Sequence, residues 1–127
     1  MKLHASGEDY LETILVLKKK LGMVRSVDVA RHMEVSKTSV CHAVAVLQEG
    51  GFLIMDEDHF LHLTEVGKEI AGKIYERHRF FTDRLIEAGV DTKTAEADAC
   101  RIEHVISDET FRRLKEKYQR ENENHEP

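Results

Sequence analysis

The chain has 127 residues, of which 41% are hydrophobic and 34% charged, enough for one domain or one domain with a compact helical extension. With 19 Lys plus Arg against 24 Asp plus Glu, the formal net charge is −5. That excludes a uniformly basic protein coating nucleic acid or membrane surfaces, but not a DNA binder whose positive charge is local. No apolar run approaches the ~18–20 residues of a membrane span. No apolar stretch follows Met1-Lys2-Leu3-His4 to make a secretory signal. A cytoplasmic protein without membrane partners is therefore expected. Cys41 and Cys100 then read as small buried residues rather than a disulfide.

In chain order, Tyr10, Leu11, Ile14, Leu15, Leu17 and Leu21 recur at helical spacing and predict a first helix stopping near Gly22. Ser26 reads as the N-cap of a short helix from Val27 to Met33, with Val29, Ala30 and Met33 inward. Glu34-Val35 makes a tight connection. Ser36 caps the next helix, which turns Val40, Ala43, Val44 and Leu47 inward until Gly50-Gly51 ends it. Phe52 to Met55 and Phe60 to Leu63, joined by Asp56-Glu57-Asp58, predict a two-stranded hairpin. Thr64 caps a long helix to about Ala88, with Val66, Ile70, Ile74, Phe81 and Leu85 on one stripe, closed by Gly89. Asp91 caps a helix through Ile106, and Ser107 caps a last one reaching about Tyr118. The polar residues from Gln119 to Pro127 are expected to fray. The fold class is mainly α, and the order helix, helix, tight turn, helix, hairpin describes a winged helix-turn-helix followed by a helical domain.

Local charge fits DNA reading. Between Lys18 and Gln48, six basic residues (Lys18, Lys19, Lys20, Arg25, Arg31, Lys37) face two acidic ones (Asp28, Glu34), a net of +4 that leaves −9 for the remainder. Ser36, Lys37, Thr38, Ser39 and His42 fall on the start and outer side of the second helix of the motif. There, short hydroxyls and a cation suit phosphate oxygens and base edges. With Arg25 they form the candidate DNA-binding set. Lys18-Lys19-Lys20 also has a plain reading as a solvated helix face. The acidic hairpin tip, Asp56-Glu57-Asp58, would be repelled by phosphates, so the wing is expected to touch DNA weakly.

Three separated segments carry metal-ligand chemistry. Asp9 and Glu12 stand at i, i+3 on the first helix and share a face. Cys100, Glu103 and His104 stand at i, i+3 and i+4 on another helix, offering S, O and N donors in one direction. His78 lies between Arg77 and Arg79 in the long helix. Each has an ordinary explanation alone: Asp9 and Glu12 as first-turn acids favourable to the helix dipole, and His78 as a surface or satisfied core residue. Their joint occurrence behind a winged helix-turn-helix favours a divalent-metal site.

These residues carry a resemblance. Glu8-Asp9-Tyr10-Leu11-Glu12-Thr13-Ile14, the segment from Ser36 to Val44, Leu63-Thr64-Glu65-Val66-Gly67, Arg77-His78-Arg79, and Ala99-Cys100-Arg101-Ile102-Glu103-His104-Val105-Ile106-Ser107 resemble the diphtheria-toxin-repressor family of metal-dependent regulators, its manganese transport regulator branch in particular. The resemblance implies a DNA-binding domain over 1–64, whose first helix also supplies metal ligands. It implies a metal-binding and dimerisation domain over 65–127, with no SH3-like domain. It places Asp9, Glu12, His78, Cys100, Glu103 and His104 on metal positions. Cys100 falls where the manganese branch usually has Glu and iron-responsive relatives have Cys, whereas Asp9 falls where the latter have Met. Thr82 stands where iron-type relatives place an ancillary acid one turn after the histidine. A manganese-type binuclear cluster is implied, with Glu103 shared, His78 on one ion, and Cys100 and His104 on the other.

The expected function is a non-enzymatic, metal-dependent transcriptional repressor. It would sense Mn²⁺ or Fe²⁺, with one or two ions per subunit left open and other divalent transition metals able to substitute. It would bind as a homodimer to a pseudo-palindromic double-stranded operator and control metal-uptake genes. Two other functions compete with this one. One is a redox- or ligand-responsive winged-helix regulator using Cys100 as sensor thiol. The other is a metal-dependent hydrolase, disfavoured because no Gly-rich phosphate loop or nucleophile–base pair is evident.

Overall fold

The computed structural model describes residues 3–125. Its elements are α1 (Ala5–Leu21), α2 (Ser26–Met33), α3 (Lys37–Glu49), β1 (Leu53–Met55), β2 (Leu61–Leu63), α4 (Glu65–Glu87), α5 (Thr92–Val105) and α6 (Asp108–His125). The chain divides into two compact units, with the boundary between Tyr75 and Glu76 inside α4.

In the first unit, α1, α2 and α3 pack together with the hairpin. The core joins Leu11, Ile14 and Leu17 of α1 to Val29 of α2, Val40, Val44 and Leu47 of α3, and Phe52, Leu53 and Leu61 of the hairpin. The strands are antiparallel, with Ile54 opposite His62. Leu61 donates its backbone N–H to the Val24 carbonyl at 2.7 Å, tying the wing to the α1–α2 loop.

Local chemistry explains the helix ends. At α3, the Ser36 hydroxyl accepts the Ser39 backbone N–H at 3.0 Å. At α4, Thr64 accepts the Gly67 N–H at 3.1 Å and donates its own hydroxyl to the Gly51 carbonyl at 2.7 Å. Asp91 accepts from Thr94 N–H, and Ser107 from Thr110 N–H; each satisfies a donor that helix geometry leaves without a partner. At α2 the expectation differs from the structure. Ser26 is the first helical residue and is buried, while Arg25 holds the cap position and donates its backbone N–H to the Asp28 carboxylate at 2.9 Å. A carboxylate three residues inside the helix has taken over the capping role.

Other expectations are also corrected. Val66 lies on the outer face of α4, 53% exposed, because Gly67, Ala71 and Ile74 set the inward stripe instead. Cys41 is exposed and Cys100 half-buried. Val40, Val44 and Leu47 define the inner face of α3, and the next residue after Val40 is rotated about 100° away from it. Helix α5 ends at Val105, with Ile106 extended as its cap.

In the second unit, Phe80 packs edge-on against Phe81, Phe111 and Tyr118, with ring centroids 5.2–5.9 Å apart. The Arg84 guanidinium lies 3.5 Å from the Tyr118 ring centroid and pairs with Glu87. Lys115 reaches Glu76 at 2.7 Å. These contacts fasten α6 to α4, and Lys117 and Glu121 pair at i, i+4. The helix consequently continues past Tyr118 to His125 rather than fraying at Gln119; Glu126 and Pro127 lie outside the described residues.

Gly67 is required by a close approach. A Cβ there would stand 2.1 Å from the Phe52 carbonyl oxygen, which also accepts the Thr64 N–H. Gly67→Ala should destabilise the first unit by about 3 kcal/mol, the upper range of overpacking. Urea denaturation followed by circular dichroism reads this directly.

Candidate metal centre and nucleic-acid interface

The candidate nucleic-acid face is built on α3. Ser36, Lys37, Thr38, Ser39, His42 and Arg25 are all exposed, as a surface that meets a large partner requires. Arg25 does not project freely, because its guanidinium lies 4.3 Å from the centroid of Phe60, at the end of the wing turn. Arg25 and Lys37 line a groove of about 480 Å³ between the starts of α2 and α3 and the wing, together with Cys41, Asp58 and His59. Two cations in its lining suit a phosphate strand. Cys41, which the sequence reading placed in the interior, stands on the exposed side of α3, one turn after Lys37. Of the lysine run, Lys19 packs over the Tyr75 ring at 4.9 Å, which gives one of the three a packing role.

The wing turn uses its acid internally. Asp56 accepts backbone N–H groups from Asp58 and Phe60, both at 2.9 Å, and lies 2.8 Å from His62 Nε2. His59 adopts a left-handed φ of 68° to complete the turn. The hydrogen bond from His62, followed by that from Phe60, holds the Asp56 carboxyl below the usual carboxylate range. Thus Asp56 spends its charge on the turn, and only Glu57 and Asp58 present free-standing acid at the tip.

The metal-ligand residues fall on three helices. Asp9 and Glu12 are half-buried on α1 in the first unit, with one Glu12 carboxylate oxygen out of contact with solvent. In the second unit, Glu103 is 0% exposed on the last turn of α5. Its Oε2 lies 2.8 Å from His78 Nδ1 on α4, and its Oε1 lies 3.4 Å from His104 Nε2. Cys100, Glu103 and His104 offer ligand atoms within 4.8 Å of one another. Helical periodicity places Cys100 and His104 on one side, one turn before and one residue after Glu103, and α4 supplies His78 from across the bundle.

This donor set fits a divalent cation. A buried carboxylate costs several kcal/mol unless compensated, and here two imidazoles and a thiol converge on it. N, O and S donors in such proximity suit a first-row transition metal. Sequence reasoning missed Arg77, whose guanidinium donates to the Glu103 and Ile106 carbonyls at 3.2 and 2.9 Å and pairs with Asp108. The only signal was its place beside His78.

A winged helix-turn-helix unit, followed in the chain by a helical unit that gathers metal-ligand side chains, defines the class: a metal-responsive DNA-binding regulator. The family described as "Iron dependent repressor, N-terminal DNA binding domain" matches residues 2–60, and "Iron dependent repressor, metal binding and dimerisation domain" matches residues 64–125. An uncharacterized HTH-type transcriptional regulator of Methanocaldococcus jannaschii is 35% identical over 112 residues, covering 87% of this chain and 90% of that protein. The HTH-type transcriptional regulator MntR of Shouchella clausii is 34% identical over 109 residues, covering 86% of this chain and 76% of its own. The structure of the manganese regulator SloR superposes with a TM-score of 0.79 at 26% identity, over 89% of this chain and 53% of that one, so the chain spans about half the length of SloR. The chain belongs to the iron-dependent repressor family, and its function is that of a metal-dependent transcriptional repressor.

The Asp56 turn makes a pH prediction. Its carboxyl is held low in the folded protein, so its stabilisation is complete above the ordinary carboxylate range. It is lost as pH falls through the lowered value. The protection of the Asp58 and Phe60 amides, read as their exchange rate relative to the intrinsic rate at each pH, should therefore fall in acid below about pH 4, whereas in Asp56→Asn it should show no such acid step.

Proposed function

We propose that this chain represses metal-uptake genes in response to Mn²⁺ or Fe²⁺, binding a pseudo-palindromic operator as a C2 homodimer. In this reading residues 1–64 contact DNA and residues 65–127 bind metal and dimerise. The observation that carries it is the buried Glu103 bracketed by His78, His104 and Cys100, in a chain whose front half presents an exposed α3.

His78, Cys100, Glu103 and His104 would hold the metal from the second unit, and Asp9 and Glu12 would add hard carboxylates from α1. This ligand set accommodates one or two ions. The oxygens suit Mn²⁺, and the Cys100 thiolate shifts preference towards Fe²⁺ or later divalent metals. A bound divalent cation supplies the positive charge that offsets the mutual repulsion of these acids. With that charge offset, Asp9 and Glu12 would help hold α1 in one position. Because α1 packs against α2 and α3, fixing α1 fixes the recognition helix. In a symmetric dimer the two α3 helices then take one spacing, which matches half-sites on the operator. Val105 and Leu114, 82% and 43% exposed on the second unit, are apolar surface of the kind a dimer interface covers. At the DNA, Thr38 and Ser39 would donate hydroxyls, Ser36, whose own hydroxyl donates to that of Ser39, would hold that end of α3 in place against the backbone, His42 would reach base edges, and Lys37 and Arg25 would meet phosphates. No catalytic step is part of this function.

Operator DNA can be selected from a random pool by the metal-loaded protein, then titrated anaerobically with Mn²⁺, Fe²⁺, Co²⁺ and Zn²⁺ while bound metal is counted. Metal should tighten operator binding by a factor consistent with coupling of ~1–3 kcal/mol. Glu103→Ala should abolish that response; a full response in this variant would refute the ligand assignment. Metal-independent binding switched by oxidant alone would favour Cys100 as a sensor thiol. For the DNA face, Lys37→Ala should weaken binding evenly across sequences and reduce the salt-dependence slope by about 1.

A further inference from the structure

Arg77 is the only Lys or Arg that is buried among the described residues, at 5% exposure. One terminal nitrogen of its guanidinium donates to the carbonyl of Glu103 at 3.2 Å and to that of Ile106 at 2.9 Å. The other terminal nitrogen pairs with the carboxylate of Asp108. The Phe111 ring lies against it, with its centroid 5.4 Å from Cζ.

The arrangement has a clear electrostatic logic. The last carbonyls of a helix lack intrahelical donors and carry the negative end of its dipole. Only Ile106 and Ser107 separate α5 from α6, so the end of one helix and the beginning of the next share a tight corner. Asp108, at the start of α6, adds an anion to that corner. A planar fork with several fixed donors meets the carbonyls and the carboxylate together; a lysine ammonium would reach only part of the set.

We propose that Arg77 is the positioning residue of the metal-ligand cluster. The carbonyl it holds belongs to Glu103, the central carboxylate of the cluster. The residue that follows it on α4 is His78, which lies 2.8 Å from that same carboxylate. Arg77 therefore sets the backbone of one ligand from the position next to another. The last turn of a helix is where fraying begins, and Glu103 and His104 both sit in that turn. The clamp keeps them in register with His78. It rests on the metal-binding reading above for its purpose, while the corner geometry itself needs no metal.

The test compares the full chain with Arg77→Met, which retains the apolar stem, and Arg77→Lys, which retains a cation. Three quantities are measured: thermal unfolding, amide hydrogen exchange of the metal-free protein across residues 103–111, and Mn²⁺ affinity by calorimetry. In Arg77→Met the corner amides should exchange at least about tenfold faster, and Mn²⁺ affinity should fall about 10–100-fold, the range for groups that orient ligands. A cooperative melt should remain. Arg77→Lys should recover part of the affinity. Wild-type affinity in Arg77→Met would overturn the proposal. So would an affinity loss that accompanies global unfolding and is not recovered by Lys. Failure of the wild-type protein to bind any divalent metal would overturn the metal reading, whereas unchanged corner exchange in Arg77→Met overturns the clamp whatever the metal does.

Discussion

Glu103 brings a carboxylate to a place with no solvent exposure, and removing such a group from water costs several kcal/mol unless its surroundings return that energy. Around it the second unit supplies His78 Nδ1 at 2.8 Å and His104 Nε2 at 3.4 Å, while Arg77 holds its backbone carbonyl. Elsewhere, α6 is fastened to α4 by the Phe80 aromatic cluster and the Arg84 contacts, which keeps the corner after α5 in place. Much of the second unit can be understood as a frame for one buried acid. A frame of that kind makes little sense as a contribution to stability alone, because apolar residues of similar volume would serve at least as well. It makes sense as a site that accepts positive charge.

The first unit solves a different problem: it must offer a rigid, exposed helix. Ser36 caps α3, Val40, Val44 and Leu47 anchor it, and the wing is stitched to the α1–α2 loop through Leu61 and Val24. Function needs these polar residues exposed, and the packing of the opposite face guarantees it. The overall charge of −5 is compatible with DNA binding because its distribution is uneven. Basic residues gather between Lys18 and Gln48, while acids are concentrated elsewhere, some at ligand positions. Not all of that local charge is available to DNA, since Arg25 rests on Phe60 and Lys19 on Tyr75.

Much of this could be read from spacing. Caps at Ser36, Thr64, Asp91 and Ser107 are local chemistry, and all four serve as expected. The Cys100, Glu103, His104 triplet is also local, since three residues within one turn and a half of helix must share a side. Spacing and structure part at Val66 and after Tyr118, where a neighbour far along the chain decides, and at Cys41, where one helical step does. Val66 has the composition of a core residue, yet the Phe52 carbonyl makes Gly67 the point of closest approach and turns Val66 outward. Cys41 has the chemistry of a buried residue but sits one step off the inner face. The tail after Tyr118 is polar enough to read as frayed, but Arg84 on α4 holds Tyr118, and the helix continues to His125.

The sequence by itself determined the order of helices and hairpin, the start and inner face of α3, and which residues carry ligand-type chemistry. Capping, periodicity and i, i+4 spacing are properties of short segments and survive without a fold. Its resemblance to a family of metal-dependent regulators pointed in the same direction. Only the tertiary structure decided that Glu103 is completely buried, that His78 meets it from another helix, and that Asp56 is consumed by its own turn. It also decided that Arg77 holds the corner between α5 and α6. Each of these depends on groups brought together from distant positions in the chain, and burial and hydrogen bonding between them are set by packing. No local pattern of residue types encodes that.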